Sequence, residues 1–169
     1  MIYLITGGER SGKSSYAQKL ALQLSNEPIY VATARKWDAD FQTRIDRHQS
    51  DRDERWVNIE KEKFLSEIDF SNKIALVDCV TLWLTNFFVD TENDVTESLT
   101  QVQLEFEKMI AQENVTLIVV TNEIGMGVHA PTHIGRKFTE LQGWMNQYLA
   151  KKADEVVLMV SGIPVKIKG

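Results

Sequence analysis

The chain has 169 residues, 43% of them hydrophobic, and its 24 acidic and 19 basic side chains give a net charge of -5. This length suits one domain with a single buried core. The acidic balance argues against nucleic acid as the main partner, which requires a basic face, but small phosphorylated ligands need only a few placed cations. The sole cysteine, Cys79, cannot form an internal disulfide, as expected in a reducing cytoplasm.

Short apolar runs rich in valine and isoleucine recur along the chain and predict buried strands. They occupy residues 2–6, 28–33, 73–78, 116–121 and 155–160, with 165–168 as a possible sixth. Consecutive apolar residues are typical of parallel strands covered on both faces. Helical spacing at residues 14–24 and 95–111 predicts helices between them. The pattern therefore predicts a doubly wound α/β sheet. No apolar run approaches the roughly 18 residues of a membrane span, and the first is too short for a signal peptide.

Two segments are much more polar than the predicted strands. Residues 35–63 carry eight basic and eight acidic side chains, and we expect them to form a polar helical excursion over the sheet. Residues 86–114 carry seven acids and one lysine, which predicts a solvated acidic helix face.

The clearest motif follows the first predicted strand and precedes the first predicted helix. The segment GGERSGKS matches G-x-x-x-x-G-K-[ST] in the context that a phosphate-binding loop requires. Backbone N–H groups would surround phosphate oxygens, the lysine would bridge the outer phosphates, and the terminal serine would ligate Mg²⁺. The alternative is an ordinary glycine-rich turn. The eight residues are Gly7, Gly8, Glu9, Arg10, Ser11, Gly12, Lys13 and Ser14.

An acidic residue, Asp78, ends the apolar run IALVD. A carboxylate at this position of a phosphate-binding fold holds Mg²⁺ or water. The alternative is that Asp78 only caps the next helix.

A lone histidine lies in the charged stretch RIDRHQSDRDERW. If this stretch is helical, Arg44, His48 and Arg52 share one face. Neighbouring arginines disfavour a protonated imidazole, which would leave His48 neutral and able to attack phosphorus. The alternatives are a surface histidine, or arginines that pair with nearby acids. The other two histidines, His129 and His133, flank a proline, which predicts a loop and not a metal site.

Several motifs together resemble one family along residues 1–168. They are GGERSGKS, YVATA, RIDRH followed by Trp56 and Glu60, LVDCVTLWLTN, TNEIGMGVHA and GWMNQYLAKKADEVVLMVSGIPVKIK. In order and spacing they resemble the bifunctional adenosylcobinamide kinase and adenosylcobinamide-phosphate guanylyltransferase family of cobalamin biosynthesis. The resemblance implies a P-loop NTPase-like (RecA-like) fold, with a mostly parallel sheet flanked by helices in a single domain.

The same resemblance implies a two-step enzyme. ATP or GTP would phosphorylate adenosylcobinamide, and GTP would then transfer GMP through a guanylyl-histidine at His48 to adenosylcobinamide phosphate, releasing pyrophosphate. Implied catalytic residues are His48 and Lys13, and the implied Mg²⁺ ligands are Ser14 and Asp78. The implied nucleotide contacts beyond the phosphate-binding loop are Thr33, Ala34, Arg35, Gln49, Ser50, Asp51, Arg52, Glu60 and Asp78.

Three further expectations depend on the resemblance. It implies a cytoplasmic homotrimer. Asn122, Glu123 and Gly125 in the NEIGMG segment are candidates for corrinoid binding. One position departs from the family pattern, because Glu9 stands where a small residue is usual and places a carboxylate near an anionic ligand.

Two other functions are compatible with the phosphate-binding motif. One is a P-loop kinase of a small hydroxyl substrate that performs no guanylyl transfer. The other is a nucleotide-sensing module that performs no chemistry. A covalent nucleotidyl-enzyme would distinguish the bifunctional enzyme from both.

Overall fold

A computed structural model of the chain describes residues 1–35 and 53–169. Its strands are β1 (Ile2–Gly7), β2 (Ile29–Ala32), β3 (Val57–Glu60), β4 (Ile74–Asp78), β5 (Thr116–Val120), β6 (Glu155–Val160) and β7 (Ile163–Lys168). Its helices are α1 (Lys13–Leu24), α2 (Val80–Asp90), α3 (Val95–Ile110) and α4 (His133–Lys152), and a short 3-10 helix spans Leu65–Glu67.

The seven strands form one sheet in the order β3-β2-β4-β5-β1-β6-β7. All neighbouring pairs are parallel except β6 and β7, which form an antiparallel hairpin at one edge. The predicted mostly parallel α/β sheet is confirmed. Because β5 lies between β1 and β4, its carboxyl end separates the phosphate-binding motif from the strand that ends in Asp78.

Both faces of the sheet are buried, which explains the consecutive apolar residues of the central strands. In β1, Leu4 packs into the core beneath α2, α3 and α4, whereas Ile5 packs with Ala17 and Ala21 of α1 on the opposite face. Residues of β4 and β5 alternate in the same way. Helix α1 thus covers one face, and the remaining three long helices cover the other.

Local signals explain where the later helices begin. The side chain of Asp94 accepts a hydrogen bond from the backbone N–H of Glu97 at 2.8 Å and caps α3. Thr132 does the same for Gly135 at 3.0 Å, so α4 begins directly after the loop that contains Pro131. The two histidines of GMGVHAPTH consequently do not share one helix, in agreement with the loop expected around the proline.

Part of the predicted polar excursion belongs to the sheet instead. Residues Val57–Glu60 form the edge strand β3, which pairs with β2 from Ile29 to Ala32. Three of the four β3 residues are exposed, so backbone pairing and not a buried side-chain pattern places this strand. Residues 36–52, which include most of the predicted excursion, lie outside the described part of the chain.

Two helices have no counterpart in the elements predicted from periodicity, namely α2 and α4. Helix α2 is apolar nearly all round, with Trp83, Leu84, Phe87 and Phe88 buried, so it lacks the polar face by which an amphipathic helix is detected. Among the described helices, none combines the length and apolar character needed to cross a membrane.

Candidate functional site

The carboxyl ends of the parallel strands bring the predicted site residues to one edge of the sheet. In the pairing of β2 with its neighbours, Ala32 lies opposite Glu60 on one side and Asp78 on the other. Asp78 in turn lies opposite Val120 of β5. This edge is where open parallel sheets bind their ligands.

The phosphate-binding loop requires glycine at both of its ends. Gly7 and Gly12 have φ angles of 149° and 94°, which residues other than glycine rarely adopt. A Cβ on Gly7 would lie 2.6 Å from the carbonyl oxygen of Met159, and one on Gly12 would lie 3.3 Å from Cα of Gly162. The loop therefore packs directly against the β6–β7 hairpin, and Gly162 donates a backbone hydrogen bond to the carbonyl of Ser11 at 2.9 Å.

Lys13 is the first residue of α1, and its side chain is buried beneath the loop. It is 7% exposed, and its Nζ donates to the carbonyl oxygen of Gly8 at 2.5 Å. Burial lowers the pKa of the ammonium group, although the nearby Cys79, Asp78 and Glu9 partly oppose that shift. An anion bound in the loop would compensate this buried positive charge. Glu9 itself is exposed to solvent, although its charge still acts on the Lys13 ammonium.

A buried hydroxyl in the loop also fits an anionic ligand. The Oγ of Ser11 is buried and has no hydrogen-bond partner among the described residues. Buried polar groups are nearly always paired, and a hydroxyl at this position of a phosphate-binding motif can donate to a phosphate oxygen.

Asp78 is held in place by a tyrosine that the sequence analysis did not identify. The phenol of Tyr30, which is 3% exposed, donates to Oδ2 of Asp78 at 2.8 Å. The available signal was a tyrosine inside an aliphatic strand, because a buried phenol needs a hydrogen-bond partner. The Asp78 carboxylate and the Ser14 hydroxyl are the hard oxygen donors that Mg²⁺ prefers, and a Mg²⁺ site commonly has only one or two protein ligands besides phosphate.

The predicted contact Thr33 links the ends of β2 and β4. Its fully buried hydroxyl donates to the carbonyl of Cys79 at 2.7 Å and accepts from the Cys79 N–H at 3.0 Å. The amide of Asn86 in α2 donates to the carbonyl of Thr33 at 2.8 Å. These bonds fix the backbone at Ala34, the next predicted contact. Burial raises the pKa of the Cys79 thiol to about 12, helped by the adjacent Asp78, so the thiol stays protonated near pH 7.

The next predicted contact, Arg35, lies in an ion-pair cluster. Its guanidinium contacts Glu62 at 2.7 Å and Asp90 at 2.9 Å, and Lys63 contacts Asp90 at 2.8 Å. Hydrogen bonds from Arg35 and Lys63 hold the pKa of Asp90 well below its usual range. The cluster ties the chain leaving β2 to the end of α2.

The carboxyl end of β5 carries a hydrogen-bond network that the sequence analysis did not predict. Thr121, Gln142 and Asn146 are joined by three side-chain hydrogen bonds of 2.7 to 3.0 Å. The Nδ2 of Asn146 donates to the carbonyl of Asn122 at 3.0 Å. The N–H of Glu123 donates to the carbonyl of Gly7 at 3.0 Å, so the network ends at the phosphate-binding loop.

Some predicted site residues cannot be placed on this geometry. His48 and the contacts Gln49, Ser50, Asp51 and Arg52 lie outside the described residues. Glu60 is the exposed last residue of β3, and it therefore lies at the carboxyl ends of the parallel strands, where the phosphate-binding loop also lies. Within residues 1–35 and 53–169, no three histidine, cysteine or acidic side chains form a cluster that could hold a metal ion by themselves.

The chain is similar along nearly its whole length to one family of known proteins. A family model described as "Cobinamide kinase / cobinamide phosphate guanyltransferase" matches residues 3–167. The bifunctional adenosylcobalamin biosynthesis protein CobU of Escherichia coli is 36% identical over 182 residues, covering 99% of this chain and 100% of that protein. The bifunctional adenosylcobalamin biosynthesis protein CobP of Pseudomonas aeruginosa is 33% identical over 171 residues, covering 98% of this chain and 96% of that protein.

A solved structure with a similar fold is the flagellar accessory protein FlaH from Methanocaldococcus jannaschii. It matches with a TM-score of 0.50 and 16% identity, covering 99% of this chain and 77% of that one. At this identity the similarity concerns the fold alone, and it agrees with the predicted RecA-like class.

Proposed function

The chain belongs to the cobinamide kinase / cobinamide phosphate guanyltransferase family, and on this premise we propose that one phosphate-binding loop serves two successive reactions. In the first, ATP or GTP donates its γ-phosphoryl group to the hydroxyl of the aminopropanol arm of adenosylcobinamide. The hydroxyl oxygen forms the new bond to phosphorus, the bond to the nucleoside diphosphate breaks, and the hydroxyl proton is released.

The loop residues have defined roles in this first reaction. The Lys13 ammonium and the loop N–H groups bind the outer phosphates and stabilise the charge that develops during transfer. Ser14 and Asp78 would hold Mg²⁺, with Tyr30 orienting the carboxylate. When bound, Mg²⁺ would neutralise part of the negative charge on the phosphates. The observation that carries the proposal is the buried Lys13 ammonium inside a loop whose Ser11 hydroxyl lacks a partner among the described residues.

In the second reaction, we propose that His48 acts as the nucleophile. An imidazole nitrogen attacks the α-phosphorus of GTP, the bond to the β-phosphate oxygen breaks, and pyrophosphate leaves. A phosphate oxygen of adenosylcobinamide phosphate then attacks the same phosphorus, the phosphorus–nitrogen bond breaks, and adenosyl-GDP-cobinamide forms. A covalent intermediate divides one difficult displacement into two easier ones. Thr33, Ala34, Arg35, Gln49, Ser50, Asp51, Arg52 and Glu60 are the proposed further nucleotide contacts.

The decisive experiment is covalent labelling with GTP. The protein is incubated with Mg²⁺ and GTP labelled at the α-phosphate, denatured, and assayed for retained label. We expect label that is lost in acid and stable in alkali, as a phosphoramidate should be. The His48→Ala variant should retain no label, whereas the control variant His133→Ala and the wild type should label equally. GTP labelled at the γ-phosphate should leave no label.

The same experiment separates this function from the alternatives. GTP binding without covalent label, combined with phosphorylation of cobinamide, would leave a P-loop kinase that performs no guanylyl transfer. Binding without either reaction would leave a nucleotide sensor.

We further propose that the chain forms a homotrimer in the cytoplasm, as the family resemblance implies. The exposed apolar residues of edge strand β7, Ile163, Val165 and Ile167, offer surface that an assembly would cover. Light scattering should then report three times the 19.3 kDa mass of the chain. A reduced, buried Cys79 fits a reducing compartment.

A further inference from the structure

We propose that the corrinoid acceptor binds in a cavity formed by the loop after β5 and the first turns of α4. This inference rests on the proposed function, because it assigns an acceptor site for the same two reactions. The cavity has a volume of about 290 Å³ and is lined by Ile124, Val128 and His129 of the loop and by Arg136 and Thr139 of α4, among others. It is large enough for one edge of a corrin ring and its side chains, with the rest of the ring outside.

The cavity begins next to the phosphate-binding loop. Ile124 is one of its wall residues, and the preceding residue, Glu123, donates its backbone N–H to the carbonyl of Gly7 at 3.0 Å. A ligand in this cavity therefore lies on the same sheet edge as the phosphates. A second cavity of similar volume, lined by Met1, Asn114 and Asp154, lies at the opposite edge, where β1, β5 and β6 begin, and is unsuited to the reaction.

The base of the loop is held rigidly. Nδ2 of Asn122 donates to the Thr81 hydroxyl at 3.0 Å, and Nδ2 of Asn146 donates to the Asn122 carbonyl at 3.0 Å. Of the three predicted corrinoid contacts, Gly125 lines the cavity, whereas hydrogen bonds to Thr81, Asn146 and Gly7 hold Asn122 and Glu123 at its base. The contacts to the acceptor come from the residues that follow them.

The chemistry of the cavity fits a flat apolar ring with amide substituents. Val128, which lines the cavity, is 97% exposed, and together with Ile124 it provides an apolar surface for the ring face. Arg136 donates to the carbonyls of Ala130 and Pro131, at 3.2 and 3.1 Å, and pairs with no carboxylate among the described residues. Its remaining N–H groups can donate to amide carbonyls of the ligand. An apolar lining with a few converging polar groups is typical of small-molecule sites.

The test compares corrinoid binding with nucleotide binding in the full chain. Two variants of lining residues are made, Val128→Ser and Arg136→Gln. The control is Leu104→Ser on α3. Leu104 is also an exposed apolar residue, 56% exposed, but it does not line the cavity. Cobinamide is titrated against each protein and followed by its visible absorbance, and the KM values for cobinamide and ATP are measured in the phosphorylation reaction.

We expect both cavity variants to raise the Kd and KM for cobinamide about tenfold, with the KM for ATP changed less than about twofold. Leu104→Ser should match the wild type in every measurement. Wild-type affinity for cobinamide in both cavity variants would overturn the site, as would equal losses in the control or no cobinamide binding to the wild-type chain.

Labelling with α-labelled GTP separates this inference from the proposed function, because guanylylation of the enzyme needs no corrinoid. Cavity variants that label normally but bind cobinamide weakly support both conclusions. A wild type that fails to label would refute guanylyl transfer while cobinamide binding still tests the cavity. Normal labelling with unchanged cobinamide affinity would refute the cavity alone.

Discussion

Tyr30 and Asp78, at the ends of neighbouring parallel strands, are joined by a hydrogen bond of 2.8 Å from the phenol to Oδ2 of the carboxylate. Tyr30 is buried, so its hydrogen bond restrains the carboxylate, whose charge acts on the nearby Lys13 of the phosphate-binding loop. A carboxylate with one oxygen bound in this way leaves the other available for a metal ion. The first prediction follows from this geometry.

Replacing Tyr30 with phenylalanine should lower the affinity of the enzyme–nucleotide complex for Mg²⁺. The loss of one hydrogen bond to a charged group costs about 1.5 to 3 kcal/mol, so we expect the Mg²⁺ concentration for half-maximal phosphorylation to rise by roughly tenfold or more. The measurement is a Mg²⁺ titration at saturating ATP. Tyr3→Phe is the matched control, because Tyr3 lies in the same core and its phenol donates to the sulfur of Met1 at 3.2 Å and not to a carboxylate. An unchanged titration for Tyr30→Phe would show that this hydrogen bond does not prepare Asp78 for metal binding.

Replacing Thr33 with valine should destabilise the fold. Valine has a similar shape but leaves the N–H of Cys79 without its buried partner, whereas the Cys79 carbonyl still accepts from the N–H of Trp83 at 3.1 Å. We expect a loss of about 1 to 3 kcal/mol in the free energy of unfolding, which is the cost of one unpaired buried group. Urea denaturation measures the change. Thr100→Val, on the exposed face of α3, should change stability by less than about 0.5 kcal/mol, and equal effects at both positions would contradict the assignment.

Replacing Lys13 with methionine should abolish nucleotide binding without destabilising the ligand-free protein. The pKa of Lys13 is lowered from 10.5, so burial of the charged form costs stability at every pH below the folded-state pKa, including neutral pH. That cost is relieved only as the pH rises through the lowered pKa. Methionine fills the same space without charge, and the melting temperature of the ligand-free variant should therefore equal or exceed that of the wild type.

The measurement is thermal unfolding with and without Mg²⁺ and GTP. Nucleotide should raise the melting temperature of the wild type and of the control Lys19→Met, whose side chain is exposed on α1, but not that of Lys13→Met. Retained guanylylation in Lys13→Met would show that the two reactions use separate nucleotide sites.

Replacing Asp90 with asparagine should lower the free energy of unfolding at neutral pH but much less in acid. The pKa of Asp90 is lowered from 3.8 by Arg35 and Lys63, so its contribution is present above pH 3.8 and is lost as the pH falls below that value. The partly exposed cluster should contribute about 1 kcal/mol at neutral pH. Urea denaturation between pH 7 and pH 3 should show a less stable variant whose deficit shrinks in acid. The control, Glu113→Gln at an exposed site, should follow the wild-type curve, and a deficit independent of pH would contradict the electrostatic explanation.

The sequence by itself determined the features that depend on local pattern. Five apolar runs correspond to β1, β2, β4, β5 and β6, because parallel strands buried on both faces are apolar at consecutive positions. The phosphate-binding loop was identifiable because its glycines and lysine must occupy fixed positions whatever surrounds them. Helix α3 was predicted for residues 95–111 and spans Val95–Ile110 because one face is apolar and the other is solvated.

Only the tertiary structure decided which distant groups meet. Tyr30 and Asp78 are 48 residues apart, and Asn122 and Thr81 are 41 apart, so no local spacing relates them. Strand β3 has no alternating apolar pattern and exists through backbone pairing with β2, while α2 is apolar nearly all round and has no periodicity. The order of strands places β5 between β1, which leads into the phosphate-binding loop, and β4, which ends in Asp78. That order is a property of packing, which the chain acquires only when the strands assemble.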